Sequence, residues 1–445
     1  MSGNLRIAIN AQIRPGGGAG GIETVLHALA ALGRLDDGPE EYVFIGPHDE
    51  PDWLRPLLGG ARGGVAIVRG PSPPPAVKVA PGPLEPLKRA LGPLRPAAYE
   101  FKQRVLSRTT RAARDGVPAS DGFYESLRCD VIHFPFQDFV RCALPSVYNP
   151  HDLQHLHFPQ FFARDEIRRR ESIYPDACRA AHTVVAASEF VKGDIVSRYR
   201  VPAEKVQVIP WAPPPADTSP EESGGDTARA LREKHGLGEA PFALYPAMTW
   251  EHKNHLRLLE AVALLRDRDA VRLSLVCTGH QNSFWSRIER RLDELGLRAQ
   301  VKFLGVVARA ELSALYRAAR FVIVPTLFEA ASAPLFEAWQ HDAAVACSSV
   351  TSLPEQARDA AHFFDPLSVE SIAAAAARLA ADADLREDLR RRGRARLRDF
   401  SLERTAKAYR AVYRRAAGRA LGEEDQRLLS WDWATREAAS PAPAH

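Results

Sequence analysis

The sequence predicts an α/β protein with two lobes, each built around a mostly parallel sheet. Short apolar runs recur along both halves of the chain and alternate with longer helical stretches. Such alternation is typical of units in which parallel strands are covered by helices. The chain has 445 residues, which is long for one core and fits two domains of roughly 200 residues each.

The first half of the chain supplies seven predicted strands, each a short run of apolar residues. They span residues 5–10, 42–45, 65–68, 131–134, 146–148, 183–186 and 206–209. Helical segments separate most of them, so we predict a Rossmann-like first lobe over residues 1–212.

An excursion at about residues 70–118 interrupts this first lobe. Prolines concentrated between Pro71 and Pro96 preclude regular structure there. A basic helical stretch follows over residues 99–114, and we interpret its positive side chains as a solvated helix face. The alternative is that this face contacts an anionic membrane or an acceptor molecule.

A stretch rich in proline, glycine and acidic residues follows the last predicted strand of the first lobe and marks an exposed linker at residues 213–228. Beyond it, the predicted strands span residues 242–245, 273–278, 301–303, 321–324 and 344–346. They predict a second Rossmann-like lobe over residues 229–416.

Near the C-terminus, an arginine-rich stretch at residues 389–398 is interpreted as a solvated helix. Residues 417–445 are interpreted as a tail, with Trp431 and Trp433 packing back on a lobe.

Composition limits the possible partners and the compartment. The net charge of +4 and the pI near 8.8 give no strong case for nucleic-acid binding. The five cysteines contain no Cys-x-x-Cys pair, which argues against a disulfide framework or a zinc site and favours a reducing cytosol. We find no secretory leader and no apolar run of about 18 residues. We therefore expect a cytoplasmic protein, with peripheral association at the inner face of the cell membrane as an alternative.

Two glutamates eight positions apart, Glu329 and Glu337, follow one of the predicted strands. Residues 321–324 are a predicted buried strand and residues 335–340 a predicted helix, so the segment between them is a strand-to-helix turn. Pro334 suits the first helical position, and the small residues before it allow a ligand to approach the main chain. A helix N-terminus favours phosphate, whereas Glu337 is better placed to accept hydrogen bonds from hydroxyls. Phosphate with a polyol indicates a sugar nucleotide, and the alternative is two solvated surface acids.

This turn resembles that of the retaining nucleotide-sugar glycosyltransferases of family 4, also called group 1, whose signature is Glu-x7-Glu. The match continues upstream in residues 245–255, which are similar to a family loop with a basic pair before asparagine. It continues downstream in residues 348–355 and 364–366, and covers roughly residues 4–416. The resemblance implies the GT-B architecture, in which two Rossmann-like lobes face a central cleft that binds the ligands.

The resemblance also implies roles for individual residues. In the family, the basic residue of the loop binds the donor diphosphate, the second glutamate holds the nucleotide ribose and the first contacts the transferred sugar; these roles fall to Lys253, Glu337 and Glu329. A fixed cation such as Lys253 is also what a departing diphosphate requires. His252 stands where many relatives carry arginine, which argues against two permanent charges clamping the phosphates. The predicted donor-binding residues are Gly20, Gly21, Thr249, His252, Lys253, Ser332, Ala333, Leu335 and Glu337.

A glycine run at residues 16–21 follows the first strand and precedes a helix predicted to begin near Ile22. The run satisfies Gly-x-Gly-x-x-Gly, so a dinucleotide site is one interpretation, but any stretch this rich in glycine matches that pattern. In family 4 this place holds a flexible glycine loop near the donor phosphates, a role the resemblance assigns to Gly20 and Gly21. A loop without ligand contact is the alternative.

His151 and Asp152 follow the predicted strand at residues 146–148 and resemble the His-Asp-Leu that meets the transferred sugar in relatives. We expect a sugar contact from His151. Asp152 is expected either to take part on this sugar side by orienting the histidine ring or to cap a helix.

These features predict an enzyme: a retaining, metal-independent hexosyltransferase without a cofactor. It would move a hexose from a nucleotide-sugar donor to a glycan or lipid-linked glycan acceptor in cell-surface polysaccharide biosynthesis. The predicted catalytic residues are Glu329, Lys253 and His151, and the resemblance implies that the donor phosphate deprotonates the acceptor. No Asp-x-Asp motif after a strand offers a metal site. Two other classes stay open: a nucleotide-dependent oxidoreductase, suggested by the glycine run, and a sugar-nucleotide binder without activity.

Overall fold

The computed structural model describes residues 4–13, 20–59, 61, 64–72, 116–213, 225–269, 271–433 and 437–438. Within these ranges no helix is long and apolar enough to cross a membrane. Most of the predicted excursion, including the basic stretch at residues 99–114, lies outside the described residues. So do the first part of the glycine run and most of the predicted linker.

The first half of the described chain forms a parallel sheet. Its strands are β1 (Arg6–Asn10), β2 (Glu41–Gly46), β3 (Val65–Arg69), β4 (Val131–Phe134), β5 (Ser146–Tyr148), β6 (Thr183–Ala186) and β7 (Val206–Val208). Its helices are α1 (Gly20–Ala31), α2 (Phe123–Ser126), α3 (Gln154–His157), α4 (Arg164–Ala180) and α5 (Glu189–Tyr199). The strand order is β3-β2-β1-β4-β5-β6-β7. Strands β4, β5 and β6 are buried along their whole length, because a parallel sheet is covered on both faces.

The second half forms another parallel sheet. Its strands are β8 (Phe242–Pro246), β9 (Ser274–Thr278), β10 (Val301–Phe303), β11 (Phe321–Val324), β12 (Val345–Ser348) and β13 (His362–Phe364). Its helices are α6 (Gly225–His235), α7 (His255–Asp267), α8 (Trp285–Glu294), α9 (Arg309–Ala318), α10 (Ala333–Gln340), α11 (Leu353–Ala357), α12 (Val369–Ala381) and α13 (Ala383–Leu397). The strand order is β10-β9-β8-β11-β12-β13.

The C-terminal helices return to the first sheet. The remaining elements are α14 (Leu402–Ala416), α15 (Glu423–Leu429), β14 (Trp431–Asp432) and β15 (Glu437–Ala438). On α14, the buried Tyr413 hydroxyl lies 2.7 Å from His133 Nδ1, and Tyr409 accepts a hydrogen bond of 2.9 Å from Asn149. Burial lowers the pKa of His133 to about 3, so this ring is neutral. A neutral polar network therefore fixes α14 against β4 and the end of β5.

Both sheets reverse their strand order at one point, between β1 and β4 in the first and between β8 and β11 in the second. Where the order reverses, the loops leave neighbouring strands toward opposite faces and open a crevice at the carboxyl ends of the strands. Lys253 follows β8 and Glu329 follows β11, so both leave the switch point of the second sheet.

The two lobes are in contact through aromatic rings and one carboxylate. Phe328, directly before Glu329, lies against His157, with ring centroids 5.4 Å apart, and against Phe190, at 5.8 Å. The main-chain N–H of Glu189, at the start of α5, donates to Glu355 Oε2 over 3.1 Å. The turn that carries Glu329 is thus held against the first lobe.

The predicted α/β architecture with two parallel sheets is confirmed, whereas some element limits were wrong. The first helix begins at Gly20 and not near Ile22, so the last two glycines of the run form its first turn. Glycine is tolerated there because the first N–H groups of a helix have no intrahelical partner to lose. Helix α10 begins at Ala333, which puts Pro334 at its second position.

The interpretation of residues 389–398 as a solvated helix is wrong for Arg396. This side chain is buried, with only 2% of the residue exposed. Its guanidinium donates to the main-chain oxygens of Gln356, Glu355 and Trp433 over 2.9, 2.8 and 3.1 Å. The free-energy cost of burying this charged side chain is offset, because its N–H donors bond to three carbonyl groups and to the Asp399 carboxylate. The predicted packing of Trp433 on a lobe is confirmed, because its side chain is buried and its ring stacks on Phe400 with centroids 6.2 Å apart.

Candidate functional site

The loop after β8 fixes the position of Lys253. A short 3₁₀ turn covers Glu251–Lys253, and Asn254 then adopts a left-handed conformation with φ of 62°. The Asn254 side chain donates to the carbonyls of Pro325 and Pro366 over 2.9 and 2.8 Å, and joins the ends of three strands. The Tyr245 hydroxyl donates to the Lys253 carbonyl over 2.7 Å. The main chain of Lys253 is therefore held on both sides.

Lys253 and Glu329, which were predicted as catalytic residues, meet directly. Lys253 Nζ donates to Glu329 Oε1 over 2.5 Å, and the two side chains are 19% and 11% exposed. Opposite charges attract more strongly here than at a surface, because less water surrounds them. The pair presents a cation and a carboxylate side by side at the switch point of the second sheet.

The turn between β11 and α10 is held by residues that follow β12. Thr351 Oγ1 accepts the Glu329 N–H over 3.1 Å, and the Ser352 hydroxyl donates to the Glu329 carbonyl over 2.9 Å. Gln356 makes a two-way contact with Ser332: its Oε1 accepts the main-chain N–H over 2.7 Å, and its Nε2 donates to the carbonyl over 2.8 Å. The backbone around the predicted sugar contact is therefore rigid.

Helix α10 begins immediately after this turn, and its first turn offers main-chain donors. The first N–H groups of a helix have no intrahelical partner. Pro334 has no N–H, so the donors come from Ala333 and Leu335. The side chains of Ser332 and Leu335 are fully buried. The predicted part of Leu335 in donor binding is thus restricted to its main chain unless the turn moves. The main chain of Ser332 is already bonded to Gln356, so a donor contact from Ser332 requires the turn to move.

Glu337 lies one turn inside α10, where it accepts a hydrogen bond of 2.6 Å from the Tyr316 hydroxyl. Burial raises the pKa of Glu337, while the Tyr316 hydroxyl and the charge of Arg309 act in the opposite direction. Tyr316 bonds to Oε2, so Oε1 is the atom that a ribose hydroxyl would use as an acceptor.

His252 and Thr249 support the loop after β8. The His252 carbonyl accepts the N–H of Leu327 over 2.8 Å. Burial holds the pKa of the His252 ring well below its usual range, so the ring is neutral and Lys253 supplies the charge of this pair. The Thr249 hydroxyl is buried and exchanges hydrogen bonds of 3.0 and 2.9 Å with Asn282. The main chain of His252 and the side chain of Thr249 therefore hold this loop in place.

In the first lobe, His151 has φ of 65°, a left-handed conformation that is rare outside glycine, asparagine and aspartate. Its Nε2 lies 2.8 Å from the Pro135 carbonyl, which requires the proton on Nε2 and leaves Nδ1 as an acceptor. The ring stacks on Phe136, with centroids 6.2 Å apart. Burial lowers the pKa of His151, so the ring is neutral.

Asp152 accepts a main-chain hydrogen bond just before a helix, but Leu153 and not Asp152 is the N-cap residue. Its Oδ1 accepts the N–H of Gln154, the first residue of α3, over 3.0 Å. The same oxygen pairs with Arg170 over 3.3 Å. The carboxylate is thus committed to α3 and α4.

The predicted donor-binding glycines, Gly20 and Gly21, lie in the first turn of α1, and the loop before them is outside the described residues.

Three residues at this site were missed from the sequence: Tyr316, Gln356 and Glu355. Each acts through a partner from another element, so no local pattern marks it. Of the three, Glu355 alone carried a signal, as the last residue of the 348–355 match.

Among the described residues, no group of three histidine, cysteine, aspartate or glutamate side chains is arranged to hold a metal ion. That observation leaves the prediction of metal independence untested.

A small cavity of about 30 Å³ lies beside the turn and is lined by residues of both lobes. Pro210 and Trp211 come from the first lobe, Ala330 and Ala331 from the turn, and Trp433 from the C-terminal hairpin. Neither Lys253 nor Glu337 lines it. The ion pair and the ribose candidate therefore face a different part of the cleft from this apolar cavity.

Two family profiles match the chain. Residues 19–212 match the profile described as Glycosyltransferase Family 4, and residues 228–396 match Glycosyl transferases group 1. Among curated proteins, O-antigen chain mannosyltransferase B of Escherichia coli is 29% identical over 57% of this chain and 66% of its own length. D-inositol 3-phosphate glycosyltransferase of Salinispora tropica is 28% identical over 66% of this chain and 63% of its own length. The chain thus spans slightly less than two thirds of these relatives.

Solved structures share the fold at low sequence identity. A glycosyltransferase from Rickettsia africae ESF-5 gives a TM-score of 0.63 at 15% identity, covering 94% of this chain and 100% of that one. Anabaena HepE in complex with UDP and glucose gives 0.60 at 16% identity, covering 92% and 99%. These likenesses, with the two parallel sheets, establish the GT-B fold. The two profile matches, which together span most of both lobes, show that this chain belongs to the group 1 glycosyltransferases of family 4.

Proposed function

We propose that this protein transfers a hexose from a nucleotide-sugar donor to a hydroxyl of a glycan or lipid-linked glycan, with retention at the anomeric carbon. The observation that carries the proposal is the Lys253–Glu329 ion pair at the switch point, with Glu337 one turn into the adjacent helix. It offers one cation for a diphosphate, one carboxylate for a sugar and one for a ribose.

Lys253 and the first turn of α10 would stabilise the departing diphosphate. Negative charge grows on this group as the glycosidic bond breaks, and preorganised donors lower the barrier because they need not reorient. The loop is preorganised, since Asn254 and Tyr245 hold it on both sides. Arrival of the phosphate at Lys253 would also release Glu329 from its ion pair, so that its carboxylate could accept hydrogen bonds from the sugar.

Retention and proton transfer rest on the family resemblance. In the front-face path a donor phosphate oxygen takes the proton of the acceptor hydroxyl, so no protein nucleophile is required. His151 is suited to contact the sugar and not to carry charge, because its buried ring is neutral and Nδ1 is an acceptor. Positioning of the two substrates would supply much of the remaining rate enhancement.

Mannose is the first sugar to test. The relatives include an O-antigen chain mannosyltransferase and the serotype-specific mannosyltransferase WbdA, both of Escherichia coli. Their names support a role in cell-surface polysaccharide biosynthesis. We further propose that the reaction takes place in the cytoplasm, in keeping with five free cysteines. Membrane contact through residues 99–114 remains a prediction.

The test is a donor panel. Purified protein is mixed with GDP-mannose, UDP-glucose, UDP-galactose and NAD, and thermal stabilisation is measured. A sugar nucleotide should stabilise the fold and NAD should not; the reverse result would favour the oxidoreductase. Slow hydrolysis of the stabilising donor distinguishes an enzyme from a binder. It is measured as release of the nucleoside diphosphate. An inverted anomer in the transfer product, read by NMR, would rule out retention.

A further inference from the structure

Tyr316 is buried beneath Glu337 and bonded to it. The residue lies on α9, with 1% of its surface exposed, and its hydroxyl is 2.6 Å from Glu337 Oε2. Burial and the neighbouring carboxylate hold the pKa of Tyr316 well above its usual range. The phenol therefore keeps its proton and donates, and the carboxylate accepts. Hydrogen bonds to an ionised acceptor are shorter and stronger than neutral ones.

Other groups around Glu337 contribute less. Arg309, on the same helix as Tyr316, favours the ionised carboxylate through its charge, which lowers the pKa of Glu337 less than the Tyr316 hydroxyl does. His341 stacks on the Tyr316 ring, with centroids 5.4 Å apart. Burial, Arg317 and Arg309 lower the pKa of His341, so it adds no positive charge at neutral pH. Tyr316 is thus the hydrogen-bond donor that offsets the burial of Glu337.

The bond also fixes geometry. Oε2 is held by a side chain that cannot move, because the Tyr316 ring is packed on α9 between the core and His341. The carboxylate plane is then set, and Oε1 is left as the acceptor for a ligand. A carboxylate without this bond could turn about its last torsion and would be protonated more readily.

We propose that Tyr316 is a positioning residue for the nucleotide, which orients Glu337 and keeps it ionised so that it can accept hydrogen bonds from the ribose hydroxyls of a nucleoside diphosphate. The inference rests on the proposed function, because it requires that Glu337 binds ribose. The alternative is that Tyr316 only fills the core between α9 and α10.

The experiment compares wild type with Tyr316→Phe, Glu337→Gln and the double variant. The dissociation constants of GDP and UDP are measured by calorimetry between pH 5 and 8.5. Tyr148→Phe is the matched control, since this buried tyrosine donates its hydroxyl over 2.9 Å to the Gln137 carbonyl in the first lobe. The control reports the effect of losing one buried tyrosine hydroxyl elsewhere.

Tyr316→Phe should raise the dissociation constant roughly tenfold at neutral pH, the effect of losing one hydrogen bond to a charged group. In wild type, binding should weaken as pH falls and Glu337 takes up a proton. This loss of affinity at low pH is the acid limb of the binding profile. In Tyr316→Phe the acid limb should move to higher pH, whereas in Tyr148→Phe it should stay where it is in wild type. In the Glu337→Gln background, Tyr316→Phe should change binding little, because the two residues act as one unit.

An unmoved acid limb, or a full tenfold effect in the Glu337→Gln background, would refute the positioning role. If Tyr316→Phe does not fold, substitution by 3-fluorotyrosine carries the test. It keeps the hydroxyl and makes it a stronger donor, so the acid limb should move to lower pH; no movement would refute the inference. Failure of wild type to bind any nucleoside diphosphate would instead remove the proposed function, and this inference with it.

Discussion

Replacing Lys253 with methionine tests whether this lysine serves the donor or only neutralises Glu329. Its Nζ lies 2.5 Å from Glu329 Oε1, and the side chains are 19% and 11% exposed. Breaking a fully buried pair costs about 3–5 kcal/mol. Because some exposure remains here, we expect the free energy of unfolding to fall by about 2–3 kcal/mol, in line with an unpaired charged group.

Binding of a nucleoside diphosphate separates the two roles. Lys253→Met should weaken it roughly ten- to a hundredfold, since a charge-assisted hydrogen bond is lost. Glu329→Gln should leave affinity unchanged or raise it, because the phosphate no longer competes with a carboxylate for the cation. The double variant should regain most of the lost stability, because no charge is left unpaired, but should bind as weakly as Lys253→Met.

The assays are urea unfolding followed by circular dichroism and calorimetric titration with GDP and UDP. Lys205→Met, in the first lobe, controls for the loss of one positive charge. Recovery of nucleotide affinity in the double variant, together with its stability, would refute the assignment. Lys253 would then be a counterion of Glu329 and no part of a phosphate site.

Three further predictions concern the surroundings of the site. Burial between the lobes raises the pKa of Glu355 to about 7, above its ordinary value of 4.5, so the folded state binds more protons between these values. Stability should therefore fall by up to about 3 kcal/mol as pH rises from 4.5 to 7, a slope that Glu355→Gln should abolish in melting curves. Gly279→Ala should cost about 3 kcal/mol in urea unfolding, because φ is +117° and the new Cβ would lie 2.6 Å from the Ala247 carbonyl carbon. Gly122→Ala, with φ of +96° and open space, should show the conformational cost alone. Donor hydrolysis should persist in excess EDTA; loss that magnesium or manganese restores would contradict the role of Lys253.

The strands were predictable because their signal is local. Residues 321–324 are a continuous apolar run, and the strand they form is buried at every position. Strand β13 escaped prediction, since only Phe364 of its three residues is buried. The helix start at Gly20 escaped because glycine is a weak guide to where a helix begins.

The site was only partly predictable, for a different reason. Lys253, Glu329 and Glu337 stand in motifs, so their sequence neighbours mark them. Tyr316 lies 21 positions from Glu337 and reaches it through a side-chain hydrogen bond between α9 and α10. Arg396 was misjudged because an arginine-rich helix is usually solvated, and the three carbonyls that receive it come from distant segments. Contacts of this kind are set by packing and leave no periodic trace.

We propose that the Lys253–Glu329 pair couples donor binding to the readiness of the sugar site. While Lys253 holds Glu329, the carboxylate has one oxygen occupied and part of its charge offset. A diphosphate at Lys253 would replace that contact, and the released carboxylate could then accept hydrogen bonds from the hydroxyls of the attached sugar. A nucleotide without a sugar would free Glu329 but leave it without a partner. An unpaired carboxylate in a site this little exposed is costly, so the complete donor should bind more tightly than its nucleoside diphosphate.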